Sequence, residues 1–256
     1  MLASFTVGYC VVAARIFIAI FGGAAIAWGI ETIPIFWRQA PIEYVARHII
    51  LGEPYKIEAL MRQMPEVEAA ESSINCRPIA LWSAAIIRLR IVEQTDSEGE
   101  AQVGRATLMK MLDDSARRSL SCSAAAPFLW LVLYWAESTQ TGSRQDSAKY
   151  LRMSYQLGPN EGWIALKRNP LMFTEYKKLP PDLEINAVTE LVALVNSQFY
   201  QPAADIFTGP AWPVRNAIVQ QLATLPPRRR EDFVRFMYKR DIDVKIPEVE
   251  PPGFRH

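Results

Sequence analysis

The first thirty residues of this chain carry a single charge, Arg15, and the run from Ile16 to Ile30 is unbroken apolar or small residues. Ile33, Ile35, Phe36 and Trp37 extend it past Glu31. As a helix, residues 16–37 would be roughly 33 Å long at about 1.5 Å per residue, enough to cross a bilayer. Trp28 and Trp37 would then lie towards one interface, where the indole ring is favoured, with Glu31 and Pro34 in the headgroup zone. The small cluster Gly22, Gly23, Ala24 and Ala25 suits close packing against a second helix, so Gly22 and Gly23 are candidate anchor-packing positions.

A cleaved secretory signal is the rival reading, with Arg15 in its basic region and Ile16–Gly29 as its apolar core. No clean small-x-small cleavage site follows, which favours an uncleaved anchor over residues 1–40; a buried core helix is the third reading. Arg15 and the amino terminus point to a cytoplasmic start, but Arg38, Arg47 and Lys56 follow the span, so charge alone does not set its direction.

Beyond residue 40 the charges balance. Residues 1–40 hold Arg15, Arg38 and Glu31, which leaves 26 residues of each sign in the remainder. A neutral body argues against a broad electrostatic grip on nucleic acid. Gly is scarce at 12 and Pro plentiful at 18, a balance that fits helices punctuated by prolines. Cys10, Cys76 and Cys122 are too few and too widely spaced for a disulfide framework or a zinc pattern.

Apolar residues after Pro41 recur at helical spacing: Ile42, Val45, Ala46 and Ile49; then Ile57, Leu60, Met61 and Met64. Ile185, Val188, Leu191, Val192 and Val195 follow the same rule, as do Val214, Ile218, Leu222 and Leu225. A last helix over 228–240 would carry Glu231 and Asp232 in its first turn and Lys239 and Arg240 in its last, matching the helix dipole. No stretch alternates with hairpin turn signals, so an all-α fold is expected. The domains read as an anchor at 1–40, a helical-repeat body at 41–245 and a Pro-rich extended tail at 246–256.

A weak repeat runs through the middle. Pro78 precedes Trp82, Pro127 precedes Trp130 and Pro159 precedes Trp163, each pair opening an apolar helical stretch. Proline suits a first helical turn, where its missing N–H would lack a partner. Trp130 and Trp163 are 33 residues apart, whereas Trp82 and Trp130 are 48 apart, with the polar loop Thr95–Gln102 absorbing part of the excess. A period of about 34 residues is the tetratricopeptide helix–turn–helix unit. The stretch from Ala148 through Tyr150, Leu151 and Leu157 to Pro159 and Trp163 resembles that family's second helix, closing proline and next tryptophan. Ala85-Ile86 and Leu133-Tyr134 stand where the family has Leu-Gly, so the expected form is a general α-solenoid of antiparallel helix pairs over about residues 75–210. The anchor, the degenerate pairs, the Pro-Pro-Arg-rich last helix and the Pro-rich tail together also resemble membrane-anchored bacterial proteins associated with exopolysaccharide or cell-envelope biosynthesis.

Chemistry-bearing motifs are missing: there is no Gly-rich phosphate loop, nucleophile elbow, His-Glu-x-x-His or Cys-x-x-Cys pair. His48 is the one histidine besides the terminal His256, which nearly excludes His-dependent triads and multi-His metal sites. No catalytic, cofactor or metal residue is therefore expected. Asp113-Asp114 and Glu231-Asp232 are neighbours about 100° apart on a helix and do not form an acid–base pair. Arg228-Arg229-Arg230 reads as a solvated helix start and His48 as a boundary residue. Ala124–Ala136 is too short for a second span and reads as the most buried helix. Cys76 and Cys122 stand at similar positions before neighbouring proline-led helices and are a candidate disulfide, against the alternative of two buried thiols.

The resemblance implies a membrane-tethered interaction or scaffold protein, not an enzyme, with membrane-associated protein partners and no small-molecule substrate. Tyr134, Trp135 and Tyr155 are candidate partner contacts, each of which could equally be core. The implied location is a bacterial inner membrane with a periplasmic body. Two alternatives stand: a structural subunit of an integral membrane complex held by its anchor, and a glycan-active enzyme using distant carboxylates about 5–9 Å apart.

Overall fold

The computed structural model describes residues 2–98, 102–141 and 144–249. Among them there is no strand, and twelve α-helices alternate with short connections and two 3-10 turns, the all-helical class expected from the periodicity. The chain divides into two compact units, residues 1–100 and 101–256. Pro251, Pro252 and His256, and the side chain of Cys10, fall outside the described residues.

The first unit holds α1 (Leu2–Ile50), α2 (Ile57–Met61), α3 (Met64–Ser72) and α4 (Pro78–Glu98). Ala14–Pro34 within α1 is long and apolar enough to cross a membrane, and none of it is buried in the protein. Thr32, its one hydroxyl, donates back to the Trp28 carbonyl at 2.8 Å, while its two charges, Arg15 and Glu31, lie near its ends. The helix does not stop at the end of the span. Pro34 and Pro41 lie inside it, each removing one helical donor, yet it runs on to Ile50. Beyond Pro41 the environment inverts: Ile42, Val45 and Ala46 are buried where α1 packs on α4 and α3. One helix thus holds both an apolar stretch of bilayer length and a core element.

Arg77, just before α4, donates to Gln39 Oε1 at 2.9 Å, and Gln94, near its end, donates to the Tyr55 carbonyl beyond the end of α1. Those two ties make α4 run beside the lower half of α1 in the same direction. A bidentate bridge from Arg88 to Glu71, at 2.8 and 2.6 Å, fixes α3 to α4. The expected face Ile57–Leu60–Met61–Met64 is split, because the chain turns at Arg62–Gln63 and Pro65 opens a new helix. Leu60 is core, while Met61 is 53% exposed. The expected loop at Thr95 is shorter than its composition suggests, since α4 continues to Glu98 and Thr95 satisfies its hydroxyl on the Ile91 carbonyl.

The second unit holds α5 (Gln102–Cys122), α6 (Pro127–Thr141), α7 (Arg144–Leu157), α8 (Gly162–Thr174), α9 (Pro181–Asn196), α10 (Tyr200–Thr208), α11 (Arg215–Leu222) and α12 (Pro227–Tyr238). Proline opens α4, α6, α9 and α12, as the first-turn rule requires. Pro159 instead sits in the turn before α8. α6 packs between α5 and α7 and is largely buried. Trp130 stacks on Tyr150 of α7, with centroids 5.9 Å apart, so this tryptophan does fill the space between paired helices. Trp163 packs on Phe128 at 5.0 Å but stays 37% exposed. Arg117 on α5 holds Asp113, Glu137 on α6 and the Tyr150 hydroxyl, which binds the three helices at their polar edge.

From α8 onward the packing is not successive, since α8 packs on α9 and α6. α9 touches α7, α8, α10, α11 and α12, whereas a repeat array contacts only its neighbours. Ile185 departs from the expected apolar face and is 65% exposed, because Leu183, Ala187, Leu191 and Leu194 carry the buried stripe. Glu231 and Asp232 lie in the second turn of α12, and Lys239 and Arg240 lie past its end. Arg230 is buried and donates to the carbonyls of Ala223 and Pro247 and to Glu248. With Val244 and Ile246 buried, the start of the tail lies against the body.

Candidate functional site

The buried chemistry of the second unit gathers where α7, α8 and α9 meet. The inner stripe of α8 runs through Ile164, Ala165, Arg168 and Met172, and that of α9 through Leu183, Ala187, Glu190 and Leu194. Each stripe places one charge at helical spacing among apolar residues. The Arg168 side chain is 0% exposed and that of Glu190 is 5% exposed. Charge so deep is tolerated only when paired and hydrogen-bonded.

Both conditions hold. Arg168 Nε donates to Glu190 Oε1 at 3.0 Å, Nη1 to Ser154 Oγ at 2.9 Å and Nη2 to the Gly158 carbonyl at 3.0 Å, with a second bond from Nη2 to Glu190. The other carboxylate oxygen accepts from Asn169 Nδ2 and from the Tyr155 hydroxyl, both at 3.3 Å. Asn169 also donates to the Ala187 carbonyl at 2.8 Å. The guanidinium carbon lies 3.8 Å from the Tyr155 ring centroid, a cation–π contact in a desolvated setting. Burial pushes the Tyr155 phenol well above its ordinary value, and the Glu190 charge adds to the rise.

Backbone geometry supports the cluster. A Cβ on Gly158 would come within 2.8 Å of the Pro127 ring, so only glycine lets this turn close on α6 and offer its carbonyl to Arg168. A groove of about 320 Å³ opens beside the cluster, lined by Pro159, Gly162, Glu190, Leu194 and Phe199. Its lining is mixed, with Asn160 and Ser197 among the apolar residues, and its carboxylate accepts from Arg168, Asn169 and Tyr155. Glu190 therefore ties α7, α8 and α9 together.

The sequence-predicted residues are scattered around this centre. Tyr155 belongs to it, with its hydroxyl engaged by Glu190. Tyr134 is fully buried in α6, which removes it as a partner contact, while Trp135 is half-buried. Gly22 and Gly23 have open space around them on the exposed face of α1. Cys76 lies before α4 and Cys122 ends α5, and each is disulfide-bonded, not a free thiol. His48 is half-buried, with Nδ1 donating to the Tyr44 carbonyl at 2.8 Å and its ring 4.0 Å from that of Tyr44. Asp113 is held by Arg117, and Asp232 lies within 4.0 Å of Arg228. No group of three or more metal-binding side chains occurs among the described residues.

Arg168, Asn169 and Glu190 were not singled out by motif, since they match none. Their signal is positional: a charge standing three or four residues from apolar neighbours on both sides. Against known proteins, no family model, curated sequence or solved structure matches the chain.

Proposed function

We propose that this chain is a membrane-tethered helical interaction protein serving a bacterial envelope polysaccharide assembly or export system, with its body on the periplasmic side of the inner membrane. The observation that carries the reading is α1: a bilayer-length apolar surface with no protein cover, continuous with a helix that is core to the first unit. A tether of that kind confines the body to the membrane and transmits its position without a flexible joint. The successive packing of α5, α6 and α7 supports a short solenoid-like segment, and half-buried Trp135 is its candidate contact. Half-cystines at 76 and 122 support an oxidising compartment, because such bonds persist outside the reducing cytosol.

Co-purification in mild detergent from cells expressing polysaccharide genes tests the partner. Recovery of the protein alone and monodisperse counts against it. Protease protection on membrane vesicles reads the side of the body, and a cytoplasmic body would remove the periplasmic assignment. A non-reducing digest should return Cys76 and Cys122 on one linked peptide.

The second reading, a subunit held in an integral complex through its span, is favoured by the open surface at Gly22 and Gly23. Gly22→Leu with Gly23→Leu would abolish association under that reading and spare it if the body does the binding.

A further inference from the structure

The corner between α3 and α4, which also holds the half-cystine Cys76, presents two strongly exposed isoleucines. Ile74 is 98% exposed and Ile79, in the first turn of α4, is 64% exposed. Isolated exposed isoleucines are ordinary, so their placement decides the matter. Arg77, between them, donates to Gln39 at 2.9 Å and stands over the Phe36 ring at 5.1 Å. The span ends at Pro34, and α1 is helical through this region. Phe36 is thus about 3 Å and Gln39 about 7.5 Å past the span along the helix axis. A headgroup layer is of that thickness, about 5–8 Å on each side of the hydrocarbon. The α3–α4 corner is therefore fixed at headgroup level.

Direction agrees with level. α4 leads away from the span, since it begins at Gln39 and ends by Tyr55. Helical side chains lean towards the helix N-terminus, so Ile79 leans towards the bilayer, and residues 73–77 lie on that side of the first turn of α4. Phe36 and Trp37, 62% and 77% exposed, extend the same apolar rim around α1. Arg38 and Glu66 line one groove next to Pro34, giving charge of both signs where zwitterionic and anionic headgroups would lie.

We propose that the α3–α4 corner is a lipid-docking surface, with Ile74 and Ile79 seated in the bilayer interface beside the span and Arg77 and Arg38 at phosphate level. The inference rests on the span reading of α1 and adds a second membrane contact. It makes the first unit sit on the bilayer and fixes its rotation about α1.

Photoreactive benzoylphenylalanine, placed singly at Ile20, Ile74 or Leu51 in the full chain, tests it in phosphatidylethanolamine/phosphatidylglycerol vesicles. Ile20 lies in the span. Leu51 is 71% exposed, as open as Ile20 at 67%, but lies about 25 Å beyond Pro34 along the helix. Lipid adducts at Ile20 and Ile74 with none at Leu51 are the expected result. Adducts at Ile20 alone overturn the docking surface and leave the span standing. Adducts at all three also overturn it, because the contact is then not confined to the corner. Loss of adducts at Ile20 overturns the span reading itself, and the inference with it.

Discussion

Two regions of this protein break the ordinary rule of burial in opposite directions. In α1, Ile16, Phe17, Ile18, Ile20 and Phe21 are exposed although they are strongly apolar. Between α8 and α9, Arg168 and Glu190 are buried although they are charged. Under the proposed function the first inversion is resolved from outside, by lipid, where an exposed apolar helix is at its most stable. The second is resolved from inside, by a partner set that meets nearly every hydrogen-bonding position. Comparing them teaches that burial alone does not mark a site; what matters is which medium or partner completes the group.

The largest effect should come from leaving one buried charge alone. Glu190→Leu strands the Arg168 guanidinium and should lower stability by about 3–5 kcal/mol, read by urea unfolding of the full chain in detergent micelles. Pairing it with Arg168→Met should recover much of the loss, since neither charge then remains. A double variant as unstable as the single one would show that packing around Tyr155, not charge, holds the cluster.

The span answers the opposite change. Ala24→Arg places a charge near its centre and should cost insertion about 2.5–3.5 kcal/mol, read as a shift from membrane to soluble fractions. Unchanged membrane retention would mean that the span is not what holds the protein there. Gly158→Ala is smaller, about 1–3 kcal/mol, because a methyl group would press on the Pro127 ring. A neutral result would show that the turn beside Arg168 yields.

The smallest effect is a pH dependence. The Tyr155 phenol is raised in the fold, so the unfolded chain loses its proton first as pH passes about 10. The stability associated with the neutral phenol is fully present below that pH and is lost as pH rises above it. Tyr155→Phe should flatten the alkaline fall in the urea midpoint between about pH 9 and about pH 11. A fall that persists unchanged in the variant would place its origin elsewhere.

Much of the fold was legible beforehand. Length and apolarity mark the bilayer-length stretch, and proline at helix starts marks α4 and α6, because both are local properties of the chain. The split between α2 and α3 was less legible, since Pro65 both ends one apolar pattern and begins another. The Arg168–Glu190 pair was legible only as two misplaced charges. Nothing in either helix says that 22 residues of separation close into a 3.0 Å contact.

By itself, then, the sequence determined an apolar segment of bilayer length, a helical body and the poverty of catalytic residue types, all of which follow from composition and short-range spacing. The tertiary structure decided that α1 continues past two prolines into the core, that Tyr134 is interior, that α9 gathers its neighbours and that the buried charges meet. Those outcomes depend on which helix faces pack, and packing between distant segments is set by shape and mutual satisfaction, which no local pattern encodes.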